Sequence, residues 1–371
     1  MSNFRNSTEI GSQGQRTLPA SAYVCERTFS AEQEKIFAAQ WLCAGRSAEL
    51  TQPGAFTVRQ IGKESIIMLR DRQDTLRAFF NVCRHRGTQL CDTPQGVFQH
   101  TIQCPYHAWN YALDGRLVGV PDEKQLPNFC REDHGLHPVA CHTWEGFVFI
   151  NLALQPTPFD SSFSVLQGRF AAWNLSTLIS LGQRKYDIAA NWKLIAQNYS
   201  ECYHCAPVHP RLVKLSPPTS GGNDLTAGPC LGGYMEIATP GGSLSLSGRS
   251  CGESVGQFDA VERQRVYYYV IFPNLFLSLH HDYVMVHTLW PQAADRTRVE
   301  CQWLFHAASA DTRQWNPEDG ITFWDQTNRE DWRVSELTQR GVASSRYAPG
   351  PYSQREAMSA AFDRQYLHCM Q

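Results

Sequence analysis

Two short segments decide how this chain is interpreted: CRHRG at residues 83–87 and CPYHAW at residues 104–109. Each begins with a cysteine, and a histidine follows it two or three positions later. Glycine and proline within these segments are typical of loops rather than of regular helices or strands. The four candidate metal ligands are Cys83, His85, Cys104 and His107. Two thiols and two imidazoles at these spacings predict a metal centre built from two loops.

This set of ligands allows two kinds of metal centre. In a Rieske [2Fe–2S] cluster, two cysteines hold one iron and two histidines hold the other, and the neutral imidazoles raise the reduction potential. A tetrahedral zinc site with the same ligands would only stabilise the fold. Zinc hairpins usually have about two to four residues between their first two ligands, whereas a single residue separates Cys83 from His85. The spacing therefore favours the Rieske cluster.

The bulk composition narrows the class of protein. The chain has 371 residues, of which 42% are hydrophobic and 12% aromatic, so two domains with real cores are expected. A net charge of −2 gives no reason to expect a nucleic-acid partner. We find no apolar run of the roughly 18 residues that a membrane span needs, and the polar start of the chain predicts no secretory signal. Most of the 13 cysteines are scattered singly, which favours a reducing cytoplasm.

Residues 45–155 are predicted to form an all-β module. Short segments such as AFTVRQI, ESIIMLR and EGFVFINL are rich in β-branched and aromatic residues. Turn signals such as Pro53-Gly54 and Asp114-Gly115 separate them. Both cysteine–histidine pairs lie within this module.

The rest of the chain is predicted to combine helices with an antiparallel sheet, which makes the fold class α+β. We expect an N-terminal arm and helix over residues 1–44, packing on a catalytic domain over residues 156–371. Within that domain we expect a loop and a helical stretch over 156–185, a helix from Asn191, long loops over 215–260, antiparallel strands over 265–291 and 298–309, and helices from about Pro317 to Arg340 and from about Ser353 onward.

A second candidate metal site follows the helix that begins at Asn191. In the segment ECYHCAPVH, Glu201 and His204 are three residues apart and would share one helical face. His209 would point away from His204 on an unbroken helix, but Pro207 is expected to break the helix and let the loop return His209 to its side. Two histidines are a weak signal alone, and ordinary core or surface histidines are the other interpretation.

One carboxylate would complete the two-histidine, one-carboxylate triad of non-haem Fe(II) oxygenases. The candidate is Asp331, because the predicted helix places it on one stripe with Trp324 and Asn328, and a buried aspartate must be paired or ligated. Glu330 and Asp325 are the alternatives. A solvated acidic face of the helix is the remaining interpretation.

Along the chain, four motifs occur in this order: C-x-H, C-x2-H, E-x2-H-x4-H and a late E-D-x4-E-x2-Q. With them the chain resembles the catalytic α-subunit of Rieske non-haem iron oxygenases over nearly its full length. The resemblance implies an all-β Rieske module that holds a [2Fe–2S] cluster through the first two motifs. It also implies a catalytic domain of helix-grip (START-like) type, an antiparallel sheet wrapped by helices.

The resemblance also assigns roles around the second site. His204, His209 and Asp331 would hold a mononuclear Fe(II). Glu201 would hydrogen-bond both to an iron-ligand histidine of its own chain and to a cluster-ligand histidine of a neighbouring subunit, which implies a homotrimer with electron transfer between subunits. The alternative for Glu201 is a group that only orients His204.

The subgroup is suggested by further stretches of sequence. Aromatic-ring dioxygenases usually have aspartate where this chain has Glu201, and residues 191–210 and 344–356 resemble enzymes that oxidise glycine betaine, carnitine, choline or stachydrine. This implies a terminal oxygenase that takes electrons from a flavin- and ferredoxin-type NAD(P)H reductase and hydroxylates or N-demethylates a small quaternary ammonium compound. An aromatic-ring hydroxylating dioxygenase is the alternative among enzymes. A Rieske electron-transfer protein without oxygenase activity is the alternative of another class.

A quaternary ammonium substrate would need aromatic rings around its charge. Tyr267, Tyr268 and Tyr269 lie on a predicted strand, where alternation puts Tyr268 on one face and its two neighbours on the other. Only one of these faces can contact a pocket, so most of the rings are expected to belong to the core.

Overall fold

A computed structural model describes residues 15–371, so the beginning of the predicted N-terminal arm lies outside the described residues. The chain divides into two compact units. One is residues 37–157, and the other is residues 158–371 together with the N-terminal segment up to Ile36. The described residues contain no helix that is both long and apolar enough to cross a membrane.

The unit of residues 37–157 is built from antiparallel strands. The strands are β1 Leu42–Arg46, β2 Ala55–Ile61, β3 Glu64–Arg70, β4 Leu76–Phe80, β5 Gln95–Val97, β6 Ile102–Gln103, β7 Asn110–Tyr111, β8 Leu117–Gly119, β9 Pro138–Trp144 and β10 Phe147–Asn151. They form a seven-stranded sheet in the order β1-β10-β9-β4-β3-β2-β5 and a small sheet in the order β6-β7-β8. The all-β architecture predicted for this part of the chain is confirmed.

The core of this unit lies around the small sheet. Phe56, Ile67 and Phe79 of the large sheet pack in one buried cluster with Trp109 and Tyr111. Because the same cluster includes Cys83 and Cys104, the two cysteines are fixed by the hydrophobic core rather than by flexible surface loops.

The second unit contains a seven-stranded antiparallel sheet. Its strands are β11 Ile179–Ile188, β12 Gly222–Leu225, β13 Cys230–Glu236, β14 Arg265–Ile271, β15 Leu275–Leu279, β16 Val284–Ala293 and β17 Arg296–Phe305. Their order in the sheet is β11-β17-β16-β15-β14-β13-β12. The central strands are almost entirely buried, and β15 is buried at every position. Such strands need cover on both faces, and helices supply part of it.

The helices of the second unit pack on this sheet and on one another. They are α1 Ser21–Val24, α2 Glu26–Glu32, α3 Phe159–Ser162, α4 Trp192–Tyr199, α5 Cys205–Val208, α6 Pro210–Leu215, α7 Ala260–Arg263, α8 Pro317–Val342 and α9 Ala357–Met370. Helix α8 lies along β11, where Gly182 permits the close approach because a Cβ there would be 2.6 Å from Cδ1 of Ile321. The predicted combination of an antiparallel sheet with helices is confirmed.

Three local predictions were wrong. Residues 179–185 belong to strand β11 instead of a helical stretch, because pairing with β17 satisfies their backbone groups. The region 215–260 contains β12 and β13 rather than loops alone. The helix from Asn191 ends at Tyr199, eight residues before Pro207, so Glu201 and His204 lie in a turn and not on a helical face.

Candidate metal centres and the adjoining cavity

The two cysteine–histidine loops have the same backbone design. The carbonyl of Cys83 accepts from the N–H of Gly87 at 3.0 Å, and the N–H of Cys83 donates to Thr88 O at 2.8 Å. In the second loop, the carbonyl of Cys104 accepts from Ala108 N–H at 3.1 Å, and the N–H of Cys104 donates to the carbonyl of Trp109 at 2.8 Å. The residue that closes each loop has a left-handed backbone, with φ +76° at Gly87 and +54° at Ala108. Each loop is therefore fixed by its own backbone.

The side chains of these loops are arranged for a shared metal group. Cys83 and Cys104 are each 2% exposed, whereas the rings of His85 and His107 lie nearer the surface with their centroids 4.7 Å apart. Tyr111 joins the two loops, because its hydroxyl accepts from the N–H of Arg84 at 3.0 Å and lies 3.2 Å from Sγ of Cys83.

A ring nitrogen of His107 is placed as a metal ligand would be. Nδ1 of His107 is buried and has no hydrogen-bond partner among residues 15–371. A buried ring nitrogen without a partner is costly unless it serves as a ligand. The two buried thiols and the two outer imidazoles therefore fit a Rieske cluster.

The second site is positioned by the end of helix α4 and by helix α8. The side chain of Asn191 caps α4 by accepting from Lys193 N–H at 3.0 Å, and the helix ends at Tyr199. In the turn that follows, the carboxylate of Glu201 accepts from the backbone N–H groups of Tyr203 and, at 3.4 Å, of His204. This turn replaces the helical hydrogen bonds and directs His204 toward α8.

Two imidazoles converge on one carboxylate oxygen. Nε2 of His204 and Nε2 of His209 lie 3.2 Å and 2.9 Å from Oδ1 of Asp331. His209 is 1% exposed, and the side chains of His204 and Asp331 are each 19% exposed. Two imidazole nitrogens and one carboxylate oxygen at a single point fit the facial triad of non-haem iron.

The other nitrogen of each imidazole contacts a glutamate. Nδ1 of His204 lies 2.6 Å from Oε1 of Glu201, and Nδ1 of His209 lies 2.7 Å from Oε2 of Glu330. Such carboxylates fix the tautomer in which Nδ1 carries the hydrogen and Nε2 is free to bind a metal. Glu330 thus contacts the outer nitrogen of His209.

The electrostatics of the triad follow from burial and these hydrogen bonds. Burial lowers the pKa of His204, but the carboxylates of Asp331 and Glu201 outweigh it and raise that pKa to about 10. Burial also lowers the pKa of His209, and Asp331 raises it overall. Burial raises the pKa of Asp331, but the hydrogen bonds from both imidazoles hold it well below its usual range. The site therefore favours positive charge, which a bound metal ion would supply in place of the histidine protons.

A small cavity, with room of about 60 Å³ for the centres of water-sized molecules, adjoins the triad. Its walls are largely apolar and include Tyr199, Leu212, Met235, Tyr268, Met285 and Trp324. Of the three neighbouring tyrosines on β14, only Tyr268 lines this cavity. The sequence pattern placed Trp324 and Asn328 on one helical stripe but gave no sign of Met235 and Met285, because a buried strand residue and a pocket-lining residue have the same pattern.

One feature of this site was not predicted. Cys202 and Cys205, which flank His204, form a disulfide with a Cα–Cα distance of 4.9 Å. Sγ of Cys205 lies within 4.8 Å of ligand nitrogens of His204 and His209, but a sulfur in a disulfide is not a thiolate ligand. The C-x-x-C spacing was the signal that could have revealed the pair.

A Rieske-type module followed by a domain with a two-histidine, one-carboxylate site defines the oxygenase component of a Rieske system. The matches to known families agree: residues 40–130 match the Rieske [2Fe-2S] domain, and residues 175–371 match the catalytic domain of the ring hydroxylating alpha subunit. The chain belongs to this family of ring-hydroxylating α-subunits, as the motifs predicted. It is an oxidoreductase whose cofactors are a Rieske [2Fe–2S] cluster and a mononuclear iron.

Individual relatives point to one subgroup. The chain is 31% identical over 374 residues to the glycine betaine monooxygenase oxygenase subunit of Pseudomonas aeruginosa (strain UCBPP-PA14), covering 91% of this chain and 85% of that protein. It is 38% identical over 196 residues to the carnitine monooxygenase oxygenase subunit of Escherichia coli (strain K12), covering 52% of each.

A solved structure extends this likeness to the whole fold. It is that of a quaternary ammonium Rieske monooxygenase, described for carnitine oxidation by gut microbiota and inter-subunit electron transfer. It matches with a TM-score of 0.82 at 25% identity and covers 96% of each chain.

Proposed function

We propose that this chain oxidises a small quaternary ammonium compound at an iron held by His204, His209 and Asp331. The observation that carries the proposal is the convergence of both Nε2 atoms on Oδ1 of Asp331, at 3.2 Å and 2.9 Å. Iron bound by these ligands would supply the activation of O₂ for attack on a C–H bond. The protein supplies a largely apolar cavity and fixed ligands.

We also propose that the cluster is held by the two loops of the all-β unit. Its ligands would be Cys83, His85, Cys104 and His107. The matched hydrogen bonds of the two loops and the unpartnered Nδ1 of His107 support this assignment.

The cavity supports a cationic substrate. Tyr199, Tyr268 and Trp324 supply aromatic rings, and Met235 and Met285 supply polarisable sulfur atoms. An ammonium group over a desolvated ring is stabilised by about 2 kcal/mol, and thioethers pack well against irregular methyl surfaces. Relatives that act on glycine betaine and carnitine point to the same substrate class. Hydroxylation of an N-methyl group would give a carbinolamine that releases formaldehyde, so the net reaction is N-demethylation.

The first test is turnover with a reductase, NADH and O₂ against glycine betaine, carnitine, choline and simple aromatic compounds. Formaldehyde formed in step with oxygen uptake from one of the quaternary amines is the expected result. A cis-diol formed from a ring compound, without formaldehyde from any amine, would overturn the proposal in favour of a ring dioxygenase.

A variant pair tests the role of the cavity. Replacing Tyr268 by leucine removes a ring that lines the cavity, so KM for the quaternary amine should rise roughly 2- to 30-fold. Tyr267→Leu on the same strand is the matched control, because Tyr267 does not line the cavity but packs near Tyr234 and Trp173. Equal KM values for both variants would contradict a cation–π role for Tyr268.

We further propose that Glu201 links the two metal sites across subunits of a homotrimer. Its Oε1 atom lies 2.6 Å from Nδ1 of His204, and its side chain is 12% exposed, so one carboxylate oxygen contacts the triad. The other oxygen, Oε2, accepts from the backbone N–H groups of Tyr203 and His204, and its second lone pair would accept from a cluster-ligand histidine of a neighbouring subunit. The solved quaternary ammonium monooxygenase, with its inter-subunit electron transfer, supports this arrangement.

Mixed oligomers test this path directly. A Cys83→Ser chain lacks a cluster ligand and a His204→Ala chain lacks a triad ligand, and each should be inactive alone. Oligomers assembled from both should recover turnover if electrons cross between chains. No recovery in verified mixed trimers, or a monomer by light scattering, would overturn the proposal.

The proposed reaction also needs a source of electrons. We infer a flavin- and ferredoxin-type NAD(P)H reductase as partner and the cytoplasm as the place of action, where reduced nicotinamide is available. Purification of a tagged chain from its host should recover such a reductase activity. Reduction of the cluster only by an unrelated donor would contradict the inference.

A further inference from the structure

The disulfide beside the triad is unusual for this chain. Among residues 15–371, no cysteine other than Cys202 and Cys205 is in a disulfide. These two are 6% and 3% exposed, and they are separated by two residues, the spacing of reactive C-x-x-C dithiols. Disulfides inside cells are usually transient and take part in redox reactions. The pair is therefore a candidate for chemistry rather than for structural support.

The position of the pair defines which oxidant it meets. Both cysteines line the cavity that adjoins His204, His209 and Asp331. Sγ of Cys205 lies within 4.8 Å of ligand nitrogens of the two histidines. A small oxidant in this cavity would therefore have both sulfurs among its immediate neighbours.

We propose that Cys202 and Cys205 form a dithiol that consumes hydrogen peroxide in the cavity and so spares His204 and His209 from oxidation. Hydrogen peroxide is the two-electron reduction product of O₂, and an oxygenase releases it when O₂ is reduced without oxidation of substrate. The proposal rests on the oxygenase class of the chain, and the identity of the amine does not affect it.

The chemistry balances in two steps. The sulfur of Cys205 attacks one peroxide oxygen, the O–O bond breaks, and a sulfenic acid and one water form. The sulfur of Cys202 then attacks the sulfenic sulfur, the S–S bond forms, the S–O bond breaks, and a second water leaves. Two thiols lose two electrons and two protons, and one peroxide becomes two waters. A cellular dithiol restores the reduced pair by disulfide exchange.

The disulfide form leaves the triad in place. With the bond closed, both Nε2 atoms lie 3.2 Å and 2.9 Å from Oδ1 of Asp331, and Glu201 is 2.6 Å from His204. Oxidation of the pair is thus compatible with retention of iron. This distinguishes a protective pair from an inactivating switch, which would disturb the ligands.

The test uses the reduced holoenzyme and hydrogen peroxide added in stoichiometric steps. Peptide mass spectrometry would follow the Cys202–Cys205 disulfide and oxidation of His204 and His209, while iron content and the absorption of the [2Fe–2S] cluster are recorded. The wild type should lose two thiols with the first equivalent, keep its iron and show no histidine oxidation. The Cys202→Ser variant should accumulate a sulfenic acid at Cys205 that dimedone traps.

The comparison is with the Cys202→Ser/Cys205→Ser variant and with Cys230→Ser. Cys230 is a buried single cysteine that does not line the cavity, so its variant should behave as the wild type. Histidine oxidation and iron loss should be several-fold faster in the double variant. Equal histidine oxidation in wild type and double variant would overturn the proposal. If the double variant fails to fold, the wild type alone tests the proposal. Oxidation of its histidines, or of other cysteines, before Cys202 and Cys205 would overturn the proposal.

Discussion

Glu330 offers the most direct test of how the triad is built. Its Oε2 atom lies 2.7 Å from Nδ1 of His209, whose Nε2 lies 2.9 Å from Oδ1 of Asp331. A carboxylate in this position keeps the hydrogen on Nδ1, orients the ring and makes Nε2 a better metal ligand. Replacing Glu330 by glutamine retains the size and an accepting oxygen but removes the charge.

The expected loss of metal affinity depends on how exposed the contact between Glu330 and His209 is. Loss of such an outer partner typically reduces metal affinity by about 10- to 100-fold. The Glu330 side chain is 43% exposed, so water screens its charge and can replace part of its hydrogen bond. We therefore expect about a tenfold loss for Glu330→Gln, which corresponds to about 1.4 kcal/mol of binding free energy. Glu330→Ala should lose at least as much.

The assay is titration of the protein, freed of its mononuclear metal, with Co(II), followed by the visible absorption of the bound ion. Glu318→Gln is the matched control, because Glu318 lies on the same helix with a side chain that is 61% exposed and 3.3 Å from Arg184. The control should bind Co(II) as the wild type does. An affinity of Glu330→Gln equal to that of the control would refute the positioning role, provided that the [2Fe–2S] spectrum is unchanged.

Three further predictions concern the second unit. His204→Ala should lose turnover and mononuclear iron but keep the [2Fe–2S] spectrum; loss of the cluster signal would contradict two independent sites. Lys193→Met should lower the free energy of unfolding by about 3–5 kcal/mol, because it leaves the fully buried carboxylate of Glu32, 2.5 Å from the ammonium, without its charge partner. Urea unfolding measures this, and Lys193→Met/Glu32→Met should recover part of the loss. Burial raises the pKa of Asp363 from 3.8 to about 7, so between these pH values the native state binds more protons than the unfolded chain and stability falls as pH rises. Asp363→Asn should flatten this slope in unfolding measured at pH 5 and pH 7, and an unchanged slope would assign it to other groups.

The sequence predicted that the two cysteine–histidine segments form loops, because each loop is a local structure. All the hydrogen bonds that close the first loop lie within residues 83–88, and those of the second lie within residues 104–109. Short-range spacing therefore carries most of the geometry. The amphipathic helix α8 was predicted over nearly its full length, Pro317–Val342, for the same reason: its periodicity is a local property.

Pairing with a distant strand determines that residues Ile179–Ile188 form strand β11 and not a helix. Its residues, ISLGQRKYDI, are mostly polar and partly exposed, and they lie at the edge of the sheet. Such a sequence has no clear alternation and was interpreted as helical. Pairing with β17 along Ile179–Ile188 gives these backbone groups their partners, and a sequence window cannot contain that information.

The choice among the acidic residues of α8 was also beyond the sequence pattern. The helical stripe and the family resemblance favoured Asp331, but Asp325 and Glu330 stayed open as alternatives. In the folded chain, Asp325 accepts from the hydroxyl of Tyr186 at 2.6 Å, and Glu330 contacts the outer nitrogen of His209. Asp331 alone of the three contacts both Nε2 atoms. The sequence by itself determined which side chains are available for a metal site. The packing of α8 beside the turn after α4 decided which carboxylate faces both imidazoles, because that packing joins segments more than a hundred residues apart.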